Sequence, residues 1–490
     1  METNRKAFRQ LSLMMFLTMC TQIIVLLKSS ITASNFGASI EMDAFNFTNT
    51  IATFIFSFIS TGITTVLIPA IVNKKSSKSI NSFITVLYSV VIIVVVIVFM
   101  SKGYIFKLFQ LRGSKFVEIA CGILGITLLT QLLTSFQGIS NAIFQCNNKF
   151  NFPKVVVLMS NILLFIILLI DNKLSIYRYA IYILFTTFIS VFIQLFFVYK
   201  DGYRYKVCMD IRSNEYKEMI RIFIPTMFSA GLYQVSLLTD SMISSTLGTG
   251  QISILSYSNS IMTMINSMFL ANIMTYIYPK IAYSIKDEKD HSHFFNYMIF
   301  FNAIMCMMVI GFFVVGKDGI SLLYQRGKFT NEISQVVYIC VCIYMFGLPI
   351  NSMRDLFYRY FYAKGDTKST FKNSIIASII NISISLVLSR TIGLYGVVLG
   401  TVVTSIISYV MIFRRFKNMF GIMYSKRKFV IENLKIFIVC GLTILIMFFI
   451  SNIIIIKVRI LRVIIYGILT VVIYIWLLFC FKSVVYKIRL

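Results

Sequence analysis

Long apolar runs separated by short polar turns recur from one end of the chain to the other. A helix that crosses the hydrocarbon core of a bilayer needs about 20 apolar residues. Fourteen runs approach or exceed that length: 8–32, 44–72, 80–101, 116–144, 153–170, 176–199, 219–247, 251–278, 294–316, 333–362, 371–390, 394–413, 429–450 and 460–481. They are continuous in Phe, Ile, Leu and Val, without the alternation of lipid-facing and lumen-facing positions that a membrane β-strand requires. In hydrocarbon each backbone N–H and C=O must be satisfied within the segment, so the runs are predicted to be helices. The fold class expected is an all-α polytopic membrane protein of about 14 transmembrane helices.

Composition makes lipid the solvent for much of the surface. Of 490 residues, 58% are hydrophobic and 13% charged, against roughly 25% charged in a soluble domain. The net charge of +28 does not point to nucleic acid, because Lys and Arg cluster in the turns between apolar runs, as topology signals do. No nucleic-acid partner is expected. An even span count puts both termini on one side. The basic turns at Lys74, Lys75 and Lys78, at 200–221, at Lys364, Lys368 and Lys372 and at 414–428 assign that side to the cytoplasm. The loop 102–115, with Lys102, Lys107, Arg112 and Lys115, is an exception placed outside.

Arg5, Lys6 and Arg9 lead directly into the first run, and no cleavable signal peptide is read there. The nine cysteines lie mostly within apolar runs and show neither zinc nor thioredoxin spacing. Cys340 and Cys342 point to nearly opposite sides of a helix. His291 and His293 sit in the polar stretch 286–293 and read as solvated loop. No histidine lies in a run, acids are few and dispersed, and no glycine-rich loop ends in a phosphate-binding lysine. Neither an enzyme nor a direct ATP-driven pump is expected.

A six-helix unit occurs twice. The first run ends at Asn35-Phe36-Gly37-Ala38 and the second near Leu67-Ile68-Pro69; the seventh ends at Thr246-Leu247-Gly248-Thr249 and the eighth near Ile277-Tyr278-Pro279. Asn148-Lys149 opens the polar turn before the fifth run and Lys364-Gly365-Asp366 the one before the eleventh; these runs carry Asn161 and Asn381. Two units of even helix number are parallel, related by an axis along the membrane normal. The expected domains are an N-terminal lobe 1–200, a cytoplasmic linker 201–218, a C-terminal lobe 219–418 and two added helices in 419–490. The expected substrate path is the cleft between the lobes.

Three stretches carry a family resemblance. Phe36-Gly37-Ala38-Ser39-Ile40-Glu41-Met42-Asp43-Ala44-Phe45 resembles the first outside loop of the lipid II flippase family (MurJ, also called MviN). Leu322-Leu323-Tyr324-Gln325-Arg326-Gly327-Lys328-Phe329-Thr330 resembles its loop before the tenth helix. Phe361-Tyr362-Ala363-Lys364-Gly365-Asp366-Thr367-Lys368 resembles its "YA..DT" turn. The resemblance runs through the first twelve runs in order. It implies the multidrug/oligosaccharidyl-lipid/polysaccharide exporter superfamily: two six-helix lobes in a V, plus two C-terminal helices offering a groove to a polyprenyl tail. The implied protein is a monomer in the bacterial cytoplasmic membrane, with lipid and a lipid-linked sugar as partners.

The chain departs from that family where charge matters. Gln22 and Lys28 stand where the resemblance expects two arginines in the first helix. Ile55-Phe56-Ser57-Phe58-Ile59-Ser60-Thr61-Gly62 replaces an arginine-rich second helix, and Ser260, in Tyr257-Ser258-Asn259-Ser260, stands for a further arginine. A less cationic cavity is expected, and arginine is the side chain suited to pyrophosphate through bidentate donation.

Ionisable residues inside spans are functional candidates because an unpaired charge in hydrocarbon is costly. Lys28 reads either as a snorkelling cation or as a contact for the pyrophosphate of the substrate. Asp43 reads either as a partner of Lys28 or as a cap on its own helix. Asp355 and Arg359, four apart, are expected to pair, leaving Arg354 to the cavity or the interface. The substrate-facing candidates are Lys28, Asp43, Gln22, Asn46, Asn49, Asn259 and Arg354. The resemblance further implies a monovalent-cation set of Asp240, Asn381, Ser385, the Val397 carbonyl and Thr401, with Ser385 where the family has a second acid. Sodium coupling, proton coupling and a plain interhelical hydrogen bond at Asp240 all stand; no other cofactor is expected. The function expected is transbilayer movement of an undecaprenyl-pyrophosphate-linked sugar, lipid II first. The alternatives are another lipid-linked polysaccharide repeat unit, a cation-coupled drug exporter, and a scaffold of wall synthesis that transports nothing.

Overall fold

Polar caps open the helices where the apolar runs predict them. The computed structural model describes residues 2–73, 75–107, 113–270, 292–364, 366–421 and 426–487. Fourteen main helices follow: α1 (Glu2–Phe36), α2 (Ile40–Val72), α3 (Ser77–Met100), α4 (Ser114–Cys146), α5 (Asn151–Ile170), α6 (Ile176–Lys200) and α7 (Asn214–Thr246). Then come α8 (Gln251–Ile265), α9 (Ser292–Tyr324), α10 (Asn331–Ala363), α11 (Thr367–Ile392), α12 (Leu394–Phe420), α13 (Lys426–Ile453) and α14 (Arg459–Cys480). Ser39, Ser76, Ser175, Ser213, Thr330 and Asp366 accept from the third backbone N–H of α2, α3, α6, α7, α10 and α11. Such side chains satisfy donors that the first helical turn leaves open. The described part of each predicted run is helical, the eighth passing from α8 into a π-helical turn at Asn266–Leu270, and among the described residues there is no strand. Eleven of the helices are long and apolar enough in their described residues to cross a membrane; α2, α7 and α8 are not among those eleven. Residues 271–278 of the eighth run, Pro279 and His291 lie outside the described residues, and His293 falls in the first turn of α9 rather than in a loop.

The chain divides into two compact units, Met1–Ser253 and Ile254–Leu490. In the first, α2 packs along α4 and α7, α1 along α5, and α4 along α6. The seventh helix therefore belongs, by packing, with the first six. In the second, α12 lies against α10 and α11, and α9 lies against α10, α13 and α14. Gly396 and Gly400 of α12 make the α11–α12 approach possible. A Cβ at Gly396 would overlap the Leu388 carbonyl, and one at Gly400 would sit 2.5 Å from Ser385 Oγ. Small residues four apart are how membrane helices bring backbones together.

The two C-terminal helices are fixed to α9 by a dry core and by polar pins. Ile299, Cys306, Ile310, Ile436, Val439 and Tyr474 are buried together. The Tyr474 hydroxyl donates to the Ala303 carbonyl at 2.9 Å, and Arg462 pairs with Asp318 at 3.2 Å. Elsewhere the outward faces are apolar, as at Val90, Ile93, Ile97 and Met100 of α3. Such faces are stable against lipid and not against water. The protein is a multi-pass membrane protein.

Candidate functional site

Lys28 lies about two turns before the end of α1, on the face that packs along α5. Its ammonium donates to Asn161 Oδ1 of α5, and the Asn161 amide donates to the Val157 carbonyl at 2.7 Å. Among the described residues this cation is thus held by a neutral amide inside a span. An ammonium has three donors, so the contact with Asn161 leaves donors for an anion. Gln22 lies on the same helix, part-buried. In sequence Asn161 marks only the repeat; that it faces Lys28 depends on the α1–α5 packing, which sequence spacing does not encode.

Asp43 bonds to a helix that neither of its expected roles names. Ser39 caps α2, accepting from Met42 N at 3.3 Å. The Asp43 carboxylate is fully buried and receives the N-terminus of α8: Gly250 N donates to Oδ2 at 2.7 Å, Ser253 N to Oδ1 at 2.8 Å and Ser253 Oγ to Oδ1 at 2.6 Å. It is a helix cap supplied from another helix, in the position where both open donors and the helix dipole favour an anion. Gly250 makes this approach possible. It adopts φ +84°, and a Cβ there would lie 2.7 Å from the Ala38 carbonyl oxygen. The two turns that the repeat equates, Gly37-Ala38 and Gly248-Thr249-Gly250, therefore meet within the first unit. Asn46 is buried one turn further along α2, and Asn49 accepts from Gln131 Nε2 of α4 at 3.2 Å. Gln131 was not among the expected residues.

In the second unit, Asn259 is part-buried on α8 and Ser260 is exposed. Arg354 differs from expectation. Its Nη2 and Nε both donate to Asp355 Oδ1, at 2.9 and 3.2 Å, and its guanidinium lies 5.6 Å from the Tyr358 ring centroid. Adjacent residues point to different sides of a helix, but the long arginine stem folds back around the surface and its planar fork reaches the neighbouring carboxylate.

Four of the five residues of the expected cation set come together where α12 crosses α11. Ser385 Oγ lies 3.1 Å from Asn381 Oδ1 and 3.4 Å from the Val397 carbonyl, its one O–H serving either, and Thr401 Oγ1 lies 3.4 Å from the same carbonyl. Ser385 is fully buried and Asn381 nearly so. These are neutral oxygens of the type a hard monovalent cation takes, and they carry no formal charge. The fifth residue, Asp240, is buried on α7 in the first unit.

The family model and the sequence relatives give one family. A family model described as "Lipid II flippase MurJ" matches residues 32–475. A probable lipid II flippase MurJ of Helicobacter pylori is 25% identical over 228 residues, 46% of this chain and 48% of that protein. The chain thus matches about half the length of that relative. A probable lipid II flippase MurJ of Vibrio cholerae is 24% identical over 444 residues, covering 84% of this chain and 83% of its own. Among solved structures, a lipid II flippase MurJ in an inward closed conformation aligns with a TM-score of 0.79 at 21% identity, over 96% of this chain and 98% of that one. An inward-facing multidrug resistance MATE family transporter of the MOP superfamily aligns with a TM-score of 0.67 at 14% identity, over 82% and 94%. At these identities the solved structures establish the shared fold.

Proposed function

Because the chain belongs to the lipid II flippase MurJ family, we propose that it moves an undecaprenyl-pyrophosphate-linked sugar, lipid II first, across the bacterial cytoplasmic membrane by alternating access. The observation that carries this reading to a substrate is Lys28 on Asn161. A cation costs about 2.5–3.5 kcal/mol at the centre of a spanning helix on the insertion scale. An amide partner orients the ammonium without neutralising it, so the compensation is left to an anionic ligand. A diphosphate supplies it. No covalent step is required; the protein's work is to desolvate, hold and release the headgroup.

A second reading has its own observation. Gln22 is neutral and Ser260 is neutral and exposed, where the resemblance expects arginine. Lysine is a point charge and cannot grip two phosphate oxygens in a fork. A less cationic site suits the repeat unit of another lipid-linked polysaccharide as well as lipid II. Depletion separates the two: a lipid II flippase causes lysis with lipid II accumulating on the inner leaflet, whereas a flippase of another repeat unit leaves lipid II pools unchanged and loses the corresponding polymer.

The reset of the cycle is assigned in the same reading to coupling with a monovalent cation, with Asp240 as its candidate acid. A bound monovalent cation would supply the charge that couples return to the membrane gradient, about 2.3 kcal/mol per charge per 100 mV. With Ser385 in place of an acid, Asp240 is the sole formal charge of the expected set, and the affinity for sodium is weak. The cycle runs in a monomer with both termini cytoplasmic.

A further inference from the structure

The stretch between α6 and α7 reads in sequence as a polar connector, but it is stitched along α3. The Tyr203 hydroxyl donates to Asn81 Oδ1 at 2.9 Å, and the Tyr205 hydroxyl lies 2.8 Å from Thr85 Oγ1. Cys208 N donates to Thr85 Oγ1 at 3.4 Å and Asp210 N to Ser82 Oγ at 2.8 Å. Ser213 Oγ lies 3.2 Å from Ser79 Oγ, Ser76 N donates to Glu215 at 3.0 Å, and Lys75 pairs with Glu218 at 2.8 Å. The first turns of α3 carry Ser79, Asn81, Ser82 and Thr85, all buried. Polar side chains in an apolar span are costly unless bonded, and this strap bonds them.

The strap alternates. Tyr203, Tyr205, Val207, Met209 and Ile211 stand at odd positions; Arg204, Lys206, Cys208, Asp210 and Arg212 at even ones. Residues 203–210 are neither helix nor strand. The tyrosines are tied to α3, while Val207 is 77% exposed, Met209 66% and Ile211 53%. Arg204, Lys206 and Arg212 are exposed as well. Apolar and cationic side chains interleaved on one short exposed segment are poorly suited to water. Asp201, beside the strap, is already paired with Lys149 at 2.6 Å, so within 203–212 three cations face one carboxylate.

Its level along α3 says what covers it. The bonds run from Ser79 to Thr85, and Thr85 lies about 12 Å along the axis from the start of α3. Burial on α3 continues to Tyr88 and Val91, and the run of exposed apolar side chains begins at Val90. The strap therefore sits where α3 emerges into lipid, at the membrane–water boundary.

We propose that residues 203–212 are a membrane-surface anchor that inserts Val207, Met209 and Ile211 among lipids and binds anionic headgroups through Arg204, Lys206 and Arg212. The leaflet is the one on the side of the α3 N-terminus, which the basic bias assigns to the cytoplasm. Burial of short apolar side chains at the headgroup boundary and attraction of Lys and Arg to anionic lipid act together in such segments. The anchor holds the connector between α6 and α7 at a fixed depth and makes that hold sensitive to lipid charge. It is independent of which lipid-linked substrate is carried.

The test uses the full chain with Trp476→Phe, so that the single tryptophan is the one introduced by Met209→Trp. The protein is reconstituted into vesicles of phosphatidylcholine alone or mixed with phosphatidylglycerol. The expected result is that brominated lipids quench the indole, that it is shielded from acrylamide, and that both effects are larger with phosphatidylglycerol. Arg204→Gln, Lys206→Gln and Arg212→Gln together should remove the phosphatidylglycerol preference, each lowering the docked-to-undocked ratio about fivefold. Ile93→Trp in the same background, on the lipid face of α3, reports correct insertion in every preparation. If the Ile93→Trp protein is quenched by lipid while the Met209→Trp protein stays fully accessible to acrylamide, the strap does not dock and the proposal fails. Equal quenching in both lipid mixtures, unchanged by the triple substitution, overturns the anionic partner.

Discussion

Replacing Asp43 should loosen the start of α8 by an amount that the geometry sets. In wild type, Oδ2 takes Gly250 N and Oδ1 takes both Ser253 groups, at 2.6–2.8 Å. Asp43→Asn keeps one oxygen for Ser253 and turns an amide NH2 toward the Gly250 N–H, donor against donor. One hydrogen bond to a charged group is lost, about 1.5–3 kcal/mol, and the fully buried position lets no water replace it. Asp43→Ala removes all three bonds and leaves the donors unpaired, about 3–5 kcal/mol by analogy with breaking a buried charged pair. Where amide exchange occurs by local opening, the Asn variant should exchange at Gly250 and Ser253 roughly 10- to 150-fold faster. Hydrogen–deuterium exchange of a peptide covering these residues measures this. Ser39→Ala, which removes the cap of α2 instead, is the control and should leave that peptide unchanged. Exchange in the Asn variant within twofold of wild type would refute the capping role of Asp43.

Three further outcomes follow from the same structure. Gly400→Ala drives a Cβ against Ser385 and should lower stability by about 1–3 kcal/mol; Gly311→Ala, with open space around it, should not, and thermal unfolding in detergent compares them. The hydrogen bond from Ser79, with those from Ser76, holds the Glu215 carboxyl below its ordinary 4.5. Its contribution is therefore present above that value and lost as pH falls through the depressed folded value, so wild type should lose more thermal stability than Glu215→Gln between about pH 5 and pH 3. Proteoliposome transport at fixed potential should rise with sodium in wild type and not in Asp240→Asn; rates that ignore sodium in both, with normal turnover of the variant, would remove Asp240 from the coupling scheme.

What was legible in sequence was whatever depends on one segment at a time. The spans and their caps follow from apolar length and from Ser, Thr or Asp at the right turn, which is why Ser76 and Thr330 mark helix starts. The pairing of Asn381, Ser385, Val397 and Thr401 was reached through family resemblance, and the close Gly396–Gly400 face accounts for it physically. The partners of Asp43 were not legible: Gly250 and Ser253 lie some 200 residues away, and no periodicity on α2 points to them. The same holds for Lys28 and Asn161. The Arg354–Asp355 pair was not legible, because spacing rules describe where side chains start, while a long guanidinium stem decides where it ends. The strap left one sequence signal, the excess of hydroxyl and amide side chains in the first turns of α3, which calls for a partner without naming it.

If this chain carries a diphosphate-linked lipid past the cation at Lys28, transport depends on that charge. The most direct test is transbilayer movement of purified lipid II in proteoliposomes by wild type, Lys28→Ala and Lys28→Arg at matched protein levels. Movement is expected in wild type, with near-complete loss in Lys28→Ala and substantial retention in Lys28→Arg. Movement by Lys28→Ala at the wild-type rate would contradict that dependence.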